Sequence, residues 1–520
     1  MYPSGYKEDK LYSILPKDGS GDLTFARSSS ATRVNESGLI ETPSVLGSEL
    51  VTNGDFATNT DWVIGEPSTM SISGGKAVYA STSINQRLTS INIPSMTVGK
   101  SYVVEYTISD YVSGSIFLER PNNTSSELSS ANGTYKFTLV ATTTSVRLRT
   151  FSASNTFKID NVSVKEVITS NIPRIDYLGG GCGKLILEPQ RTNTVLSNSD
   201  YTASWALVNV IPTANATISP NGSNDAQKLT SANTFGQHYI RQILGGHTVG
   251  APHVFSCFAK AAELDILTLR LFQGDGGNVT FDLTNGTITS GTNGKIIDFG
   301  NGWYRCMTYH SALNQYLYPY IYTQVGNQQG DGVSGFYVYG AMIEEGTYET
   351  SLIDTTTTNV TRTQDTSITT GLSSVIGQTE GTLQFKFEKS KIIEDYAVIS
   401  LMSTGTDAIM IGTRNFQPAN DSLRLLFYKA GALLLNITLA TNIGNGTFNV
   451  AVAYKLNDWS VFVDGVEVYT NTSVAAPSLL TELRLLNRFG TAYNFSYPVE
   501  NLSLFTTRLS NTELATLTTL

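Results

Sequence analysis

Short apolar runs that alternate with polar residues recur along most of the chain and predict β-strands. Residues 101–108 (SYVVEYTI), 115–118 (SIFL) and 135–140 (YKFTLV) are three such runs, and clusters of Gly, Asn and Ser separate them. Short strands at these intervals are typical of an antiparallel β-sandwich. The pattern therefore predicts an all-β chain.

One set of landmarks occurs twice in the same order. The segment 53–56 (NGDF) returns as 198–201 (NSDY), and each is followed by a tryptophan. The run 157–166 (FKIDNVSVKE) has a counterpart in 336–345 (FYVYGAMIEE). An opening and a closing segment that both repeat indicate two modules of the same architecture.

A third module follows a segment that is rich in Thr and Ser. That segment has few large apolar residues, which predicts a linker or an edge strand. Residues 459–469 (WSVFVDGVEVY) place Asp-Gly between two alternating runs, the strongest hairpin signal in the chain. Residues 510–513 (SNTE) form a capping box and predict one helix, which we expect to seal an open end of the last sandwich.

The boundaries of these patterns divide the chain into six predicted segments. A length of 520 residues exceeds one ordinary core, and the first segment has little apolar periodicity, so we expect an extended arm there. The predicted fold is all-β, with tandem antiparallel β-sandwiches after this N-terminal arm. The segments are the arm 1–46, a sandwich 47–168, a structured connector 169–196, a second sandwich 197–353, a linker 354–379 and a last sandwich 380–520.

Composition narrows the classes of function. Charged residues make up 15% of the chain and the net charge is −9 without any Lys/Arg cluster, so we expect no nucleic-acid partner. No apolar run has the length of a signal peptide core or a membrane span, which predicts a soluble product made in a cytosol, with no membrane partner. Cys182, Cys257 and Cys306 lack the paired spacing of disulfides or zinc sites, and we expect buried thiols.

Catalytic motifs are missing from the sequence. The four histidines show no zinc-ligand spacing, and there is no G-x-S-x-G elbow, phosphate loop or dinucleotide fingerprint. The E-x-D-x-x-E arrangement of sandwich glycosidases is also missing. We therefore predict that the chain is not an enzyme. The alternative is a polysaccharide depolymerase, which would need two carboxylates facing one cleft.

Tyrosine occupies every second position of residues 316–322 (YLYPYIY). In a strand this spacing places all four rings on one face, where they could stack on sugar rings. Pro319 favours an edge strand. The alternative is that the rings pack against a neighbouring sheet or a second copy of the chain. The candidate carbohydrate-binding residues are Tyr316, Tyr318, Tyr320, Tyr322, Tyr337 and Tyr339.

The only candidate metal ligands are two aspartates of the first sandwich. Asp55 and Asp160 could hold a structural Ca²⁺ together with loop carbonyls, since Ca²⁺ takes oxygen ligands. The alternative is that both are ordinary solvent-facing side chains. We expect no other cofactor, and we expect the four tryptophans, one or more in each sandwich, to anchor cores.

Four motifs resemble structural proteins of phages that infect Bacteroidetes, including the head-fibre and tail-associated proteins of crAss-like phages. They are residues 25–35 (FARSSSATRVN) with 38–41 (GLIE), 173–177 (PRIDY) with 187–193 (LEPQRTN), 302–306 (GWYRC), and 348–353 (YETSLI) with 361–362 (TR). The second motif, 173–177 with 187–193, is the most specific. Such proteins share no enzymatic activity, so the resemblance brings no catalytic residue.

Resemblances at the level of modules refine the predicted fold. Residues 47–168 resemble carbohydrate-binding jelly rolls through NGDF and the 159–164 segment (IDNVSV), and residues 380–520 resemble concanavalin- and laminin-G-type sandwiches through the Asp-Gly hairpin. The calcium-binding acidic loop of the legume lectins is not recognisable. With the duplication, this implies two jelly rolls and one concanavalin-like sandwich.

The family resemblance implies a virion surface protein, such as a head fibre, tail fibre or capsid decoration. We expect other phage virion proteins and host or mucosal glycans as partners, a homotrimer as the assembly, and adhesion through many weak sites. The first rival is a purely structural virion or assembly protein that binds no ligand. The second is the depolymerase.

Overall fold

The computed structural model describes most of the chain. The chain forms two compact units: a smaller one of residues 44–169, and a larger one of residues 1–43 together with 170–520. The fold is all-β, as predicted, and consists of antiparallel sandwiches. The described residues are 3–13, 19, 21–65, 70–81, 87–90, 96–118, 129–142, 144, 147–150, 154–272, 277–389, 395–403, 407–415, 422–485 and 496–520.

The N-terminal segment forms short strands. They are β1 (Pro3–Lys7), β2 (Lys10–Ser13), β3 (Leu23–Thr24), β4 (Arg33–Val34) and β5 (Ile40–Glu41). The first three make a small sheet, and Leu11, Leu23 and Phe25 are buried in the apolar cluster that fills the last sandwich. The sequence predicted this segment as an extended arm, whereas in the structure it contributes to a core.

The smaller unit is a sandwich of two sheets. Its strands are β6 (Val45–Glu49), β7 (Trp62–Ile64), β8 (Met70–Ile72), β9 (Ala77–Ser81), β10 (Arg87–Ser90), β11 (Ser101–Ser113), β12 (Ile116–Leu118), β13 (Gly133–Val140), β14 (Arg147–Thr150) and β15 (Asn155–Ile168). The sheet orders are β12-β14-β10-β7 and β13-β11-β15-β9-β8, with β6 also paired to β15. Alternation in β11 buries Tyr102, Val104, Tyr106 and Ile108.

The connector and the second sandwich follow in the larger unit. The connector strands are β16 (Arg174–Asp176), β17 (Lys184–Ile186) and β18 (Arg191–Asn193). The sandwich strands are β19 (Ala206–Val208), β20 (Val210–Thr217), β21 (Ala226–Ser231), β22 (Phe235–Arg241), β23 (Leu244–Gly245), β24 (Pro252–Lys260), β25 (Ile266–Arg270), β26 (Val279–Asp282), β27 (Thr287–Ser290), β28 (Gly294–Asp298), β29 (Trp303–Ser311), β30 (Tyr316–Leu317), β31 (Tyr320–Gln329) and β32 (Gly335–Glu345).

The two sandwiches share one topology. In the second sandwich the sheets run β19-β22-β31-β25-β26-β27 and β20-β21-β32-β24-β29-β28. Read in the same direction, β7-β10-β14-β12 corresponds to β19-β22-β31-β25, and β8-β9-β15-β11-β13 corresponds to β20-β21-β32-β24-β29. The second module adds β26, β27 and β28 to these sheets, and β23 and β30 as a separate pair.

The repeated landmarks occupy equivalent places. In the first sandwich the N–H of Val162 donates to the carbonyl of Gly54 at 2.9 Å, and in the second the N–H of Ala341 donates to that of Asn198 at 2.8 Å. The residue before each donor, Asn161 or Gly340, has a positive φ, and the pairing register shifts near this point in both closing strands. The opening loop is thus hydrogen-bonded to the closing strand in both modules, although Asn198 lies one position earlier in its loop than Gly54 does.

The last sandwich includes the connector hairpin. Its strands, with those of the preceding segment, are β33 (Val360–Arg362), β34 (Ile368–Thr369), β35 (Glu380–Lys389), β36 (Asp395–Ser403), β37 (Ala408–Asn415), β38 (Ser422–Lys429), β39 (Ala432–Thr441), β40 (Gly446–Lys455), β41 (Asp458–Val463), β42 (Val466–Asn471), β43 (Leu480–Arg484) and β44 (Val499–Phe505). The sheets run β16-β17-β44-β35-β40-β41-β42 and β34-β43-β36-β37-β38-β39, and β18 pairs with β33. The segment predicted as linker or edge strand therefore supplies an edge strand.

Local signals near the C-terminus specify a hairpin and a helix. Asp464 and Gly465 both have positive φ between β41 and β42, as a type I′ turn requires. The helix α1 (Asn511–Thr518) begins at the capping box of Ser510. Its buried Leu514 packs with Phe462 and two alanines of β40, so the helix covers an outer sheet face and not an open end. Within the described ranges, no helix has the length and apolarity needed to cross a membrane.

A buried ion network joins four distant segments of the larger unit. Arg27 donates to Asp365 at 2.9 Å, Arg174 pairs with Asp365 and with Glu188, and Arg362 lies 2.8 Å from Glu188. The three guanidinium groups and the Asp365 carboxylate are fully inaccessible to solvent. Three of the four phage-like motifs supply residues to this network, so those motifs are explained by packing between segments.

Candidate carbohydrate-binding face

The tyrosine-rich segment is not one continuous strand, which corrects the prediction of a single four-ring face. Tyr316 lies in β30 and Tyr320 and Tyr322 lie in β31. Between them, Pro319 has no N–H to offer a ladder, and the N–H of Tyr318 donates to the carbonyl of Leu271 at 2.9 Å.

Two of the predicted residues lie elsewhere. Tyr337 and Tyr339 belong to β32, in the opposite sheet of the sandwich, so they cannot extend a platform on β31. Tyr339 is buried in a separate cluster with Phe258 and Trp303, and its hydroxyl accepts a hydrogen bond from Asn221 at 2.9 Å. The sequence could not show this because assignment to a sheet depends on pairing between distant strands.

The other rings form a cluster on the outer face of β31 and β22. The Tyr320 and Tyr322 rings are stacked with centroids 5.5 Å apart, and the Tyr239 ring lies 5.1 Å and 5.2 Å from them. Ile321, between the two stacked residues, points into the core. Alternation therefore placed this pair on one face, as expected.

Two arginines pack against the ring cluster. The Arg270 guanidinium carbon lies 4.3 Å from the Tyr320 centroid and 5.0 Å from that of Tyr322, and the Arg241 carbon lies 5.7 Å from Tyr320. Arg241 also donates to the Tyr320 hydroxyl at 3.2 Å. These distances are those of cation–π contacts, which hold a guanidinium flat over a ring.

The stacked rings themselves are closed to ligands. Tyr320 is 4% exposed and Tyr322 is 3% exposed. Burial raises the pKa of Tyr322 to about 12, although Arg270 opposes the shift. A sugar cannot lie on these faces unless Arg270 moves, so the stacking platform that the sequence suggested is already occupied.

Tyr316 has a solvent-exposed ring, unlike Tyr320 and Tyr322. It is 43% exposed, and its ring packs over Gly245 of β23, the residue opposite it in the pairing. The pairing of Gly245 with Tyr316 has the same register as that of Arg241 with Tyr320. Four residues of strand separate the two pairs, at most about 13 Å. The exposed ring and the arginine therefore lie in one pairing register, although β23 and β30 form a separate two-stranded sheet.

Two polar atoms of this face are buried without a hydrogen-bond partner. They are the side-chain oxygen of Gln324, two residues beyond Tyr322 in β31, and the Nε of Arg241. Thr268, paired with Tyr322 across β25, shares a hydroxyl hydrogen bond with Thr280 at 2.9 Å. We call Tyr239, Arg241, Arg270, Tyr316 and Gln324 the tyrosine–arginine face. Sequence reasoning missed the members from β22 and β25 because only strand pairing brings them together.

The carboxylates of the two predicted calcium ligands contact other groups of the protein. Asp55 is exposed and accepts the N–H of Ala57 at 3.3 Å, while Asp160 accepts the N–H of Asn161 and lies 4.0 Å from the Lys76 ammonium group. Across the residues that the structure places, no group of three or more acidic, His or Cys side chains could hold a metal. Calcium binding at this pair stays a prediction.

A cavity of about 600 Å³ in the larger unit bears on the depolymerase alternative, because several carboxylates line it. Glu349 lies 2.7 Å from Lys295, Glu388 pairs with Lys184, and Asp176 accepts a backbone N–H. Burial raises the pKa of Asp176. Acid–base chemistry would first require these contacts to open.

No protein-family model and no curated protein match the sequence. Among solved structures, domain 4 of AbnA, a GH43 extracellular arabinanase from Geobacillus stearothermophilus in complex with arabinotriose, matches 34% of this chain and 82% of its own, at 11% identity and TM-score 0.25. The CBM22-1-CBM22-2 tandem of Paenibacillus barcinonensis Xyn10C matches 59% of this chain and 99% of its own, at 10% identity and TM-score 0.21. At this level of similarity no residue role follows.

Proposed function

We propose that this protein is a bacteriophage virion surface component, a head or tail fibre or a capsid decoration, that binds host or mucosal glycans without cleaving them. The observation that carries the glycan role is the exposed Tyr316 ring, held over Gly245 in the same pairing register as Arg241. Sugars present flat C–H faces with hydroxyl groups at their edges. An exposed aromatic ring can stack on the flat C–H face.

The duplicated topology supports adhesion through several weak sites. Two sandwiches of one architecture in each chain, and a trimeric assembly, would multiply the number of contacts with a glycan-coated surface. Linked sites gain effective concentration without any tighter single contact.

The proposed place in a virion rests on the resemblance of the motifs. Three of these motifs meet in the buried ion network, so a role in holding the fold together accounts for them without any shared chemistry. Immunogold labelling of purified phage particles tests this part directly. Label on the fibres or the capsid surface is expected, and label found only in the host lysate would contradict it.

A glycan array with the full-length protein, followed by titration of any glycan found, tests the binding role. We expect Tyr316→Ala to weaken binding by roughly tenfold, the loss of one ring-stacking contact, and Tyr316→Trp to retain it. The control is Leu313→Ala, since Leu313 is an exposed apolar residue three positions away. Equal binding by Y316A and L313A would place the sugar elsewhere.

A purely structural role is the second candidate, and the burial of Tyr320 and Tyr322 favours it. In that case Tyr316 would be covered by another virion subunit. Protection of Tyr316 from iodination in the assembled particle, together with an empty glycan array, would favour the structural role.

A further inference from the structure

Arg241 carries a positive charge that few nearby groups neutralise. It is half-buried in β22, and its recorded side-chain hydrogen bond is with the Tyr320 hydroxyl, a neutral group. None of the ion pairs recorded among the described residues involves it. Its Nε is buried and also lacks an acceptor, so it does nothing to neutralise the charge. A half-buried guanidinium without an anionic partner is a favourable site for an anion, because hydrogen bonds to charged groups exceed neutral ones.

The aromatic cluster keeps this group in place. The Arg241 guanidinium carbon lies 5.7 Å from the Tyr320 centroid, and that ring is fixed between Tyr239 and Tyr322. A planar fork held over a ring loses little side-chain entropy when it binds a carboxylate or a sulfate through two N–H groups. Lysine would keep the charge at this position but not the planar geometry.

Arg270 adds a second positive charge on the same face. Its guanidinium stacks on Tyr320 and Tyr322 from the neighbouring strand β25. Because both rings are buried, the accessible chemistry around them is that of guanidinium groups, and the nearby exposed rings are those of Tyr316 and of Phe235 at the start of β22. A neutral sugar would use the Tyr316 ring alone, while an acidic sugar would use the ring and the cations.

We propose that the tyrosine–arginine face selects acidic glycans, with a carboxylate or sulfate group of the sugar on Arg241 and a sugar ring against Tyr316. This inference rests on the glycan binding proposed above. It adds the ligand class and assigns Arg241 as the residue that determines it.

Calorimetric titration of the full-length protein tests the preference. The ligands are polygalacturonate, its carboxyl-reduced form, dextran sulfate, neutral dextran and a single-stranded oligothymidylate. We expect polygalacturonate or dextran sulfate to bind roughly tenfold more tightly than its neutral counterpart, and which of the two binds identifies the source of the anion. Binding of the acidic polymer should weaken as NaCl rises.

Variants connect the preference to one side chain. Arg241→Gln should remove the tenfold preference, so that an acidic polymer and its neutral counterpart bind alike, and Arg241→Lys should restore part of it. The control is Arg424→Gln. Arg424 is a half-buried arginine of the last sandwich, and its guanidinium donates a hydrogen bond to the side-chain oxygen of Asn436. Thermal unfolding of each variant checks that it folds.

The outcomes separate this inference from the proposed function. Equal binding of acidic and neutral polymers that is lost in Y316A would overturn acidic selectivity and leave glycan binding intact. Binding of oligothymidylate as tight as that of the acidic polymers would overturn recognition of a saccharide. A full-length protein that binds none of the polymers would overturn both proposals.

Discussion

Tyr316 and Tyr320 lie on the same side of their strands but in different environments. The residues that follow them, Leu317 and Ile321, both lie in the core, so alternation aims both tyrosines outward. Tyr316 is 43% exposed and Tyr320 is 4% exposed because arginines and a second tyrosine cover only the latter. Periodicity in a sequence determines the face of a strand, but it does not show what covers that face.

Asp365 carries a large expected single-residue effect on stability. It accepts hydrogen bonds from Arg27 and Arg174, and replacing it with Ala would leave two buried guanidinium groups without their shared anion. We expect Asp365→Ala to lower the free energy of unfolding by about 3–5 kcal/mol, measured by urea denaturation.

The matched control is an exposed ion pair of the same unit. Lys455 lies 3.3 Å from Glu380 and is 52% exposed, so Lys455→Gln should cost less than about 1 kcal/mol. Similar losses for K455Q and D365A would mean that the buried network contributes no more than a surface pair.

Elements with local signals were predicted correctly, and those that depend on distant partners were not. The Asp464-Gly465 turn and the capping box at Ser510 each depend on a few neighbouring residues. By contrast, Leu185 pairs with Val499 across more than 300 residues, and nothing in either segment indicates the other. The connector hairpin therefore could not be assigned to the last sandwich from the sequence.

Gly54 tests how closely the opening loop of the first sandwich must approach the closing strand. A Cβ atom at this position would lie 2.0 Å from the carbonyl oxygen of Val162, the residue that also donates to Gly54. Gly54→Ala should therefore separate the opening loop from the closing strand, at a cost of about 2 kcal/mol or more. Limited proteolysis should then cut residues 44–169 faster.

The neighbouring Asp55→Ala serves as the control, since Asp55 is exposed. It should leave the proteolysis pattern unchanged. Resistance of G54A equal to that of D55A would show that the loop tolerates a side chain, and the shared hydrogen bond would not then define the module.

At the scale of the whole molecule, the number and type of sandwiches followed from the sequence, whereas the way the larger unit closes did not. The 354–379 segment looked like a linker because it has few large apolar residues, yet it holds the buried Asp365 and Arg362. Two buried charges appear in a sequence as ordinary polar residues. Their partners, Arg27, Arg174 and Glu188, come from segments that were assigned to other parts of the chain.

The candidate site could be predicted only in part for the same reason. Tyr316, Tyr320 and Tyr322 stood out because they alternate within seven residues. Tyr239 and Arg241 alternate in β22 and Arg270 ends β25, but no single segment shows that these strands flank β31. The arginines that define the proposed ligand class therefore became visible only with the sheet order.

The role of the N-terminal segment in the core of the larger unit gives the last prediction. Phe25 is 2% exposed and belongs to the cluster that contains Leu383 and Trp459 of the last sandwich. Replacing it with Ala would leave a cavity, and we expect Phe25→Ala to lower the free energy of unfolding by about 3–5 kcal/mol in urea denaturation. Phe235→Ala is the matched control, because Phe235 is 71% exposed in the same unit and should change little. An arm that only attached the protein to a virion would let both variants unfold at the wild-type urea concentration. A shift confined to F25A would instead mean that these first residues are required for the fold of the larger unit.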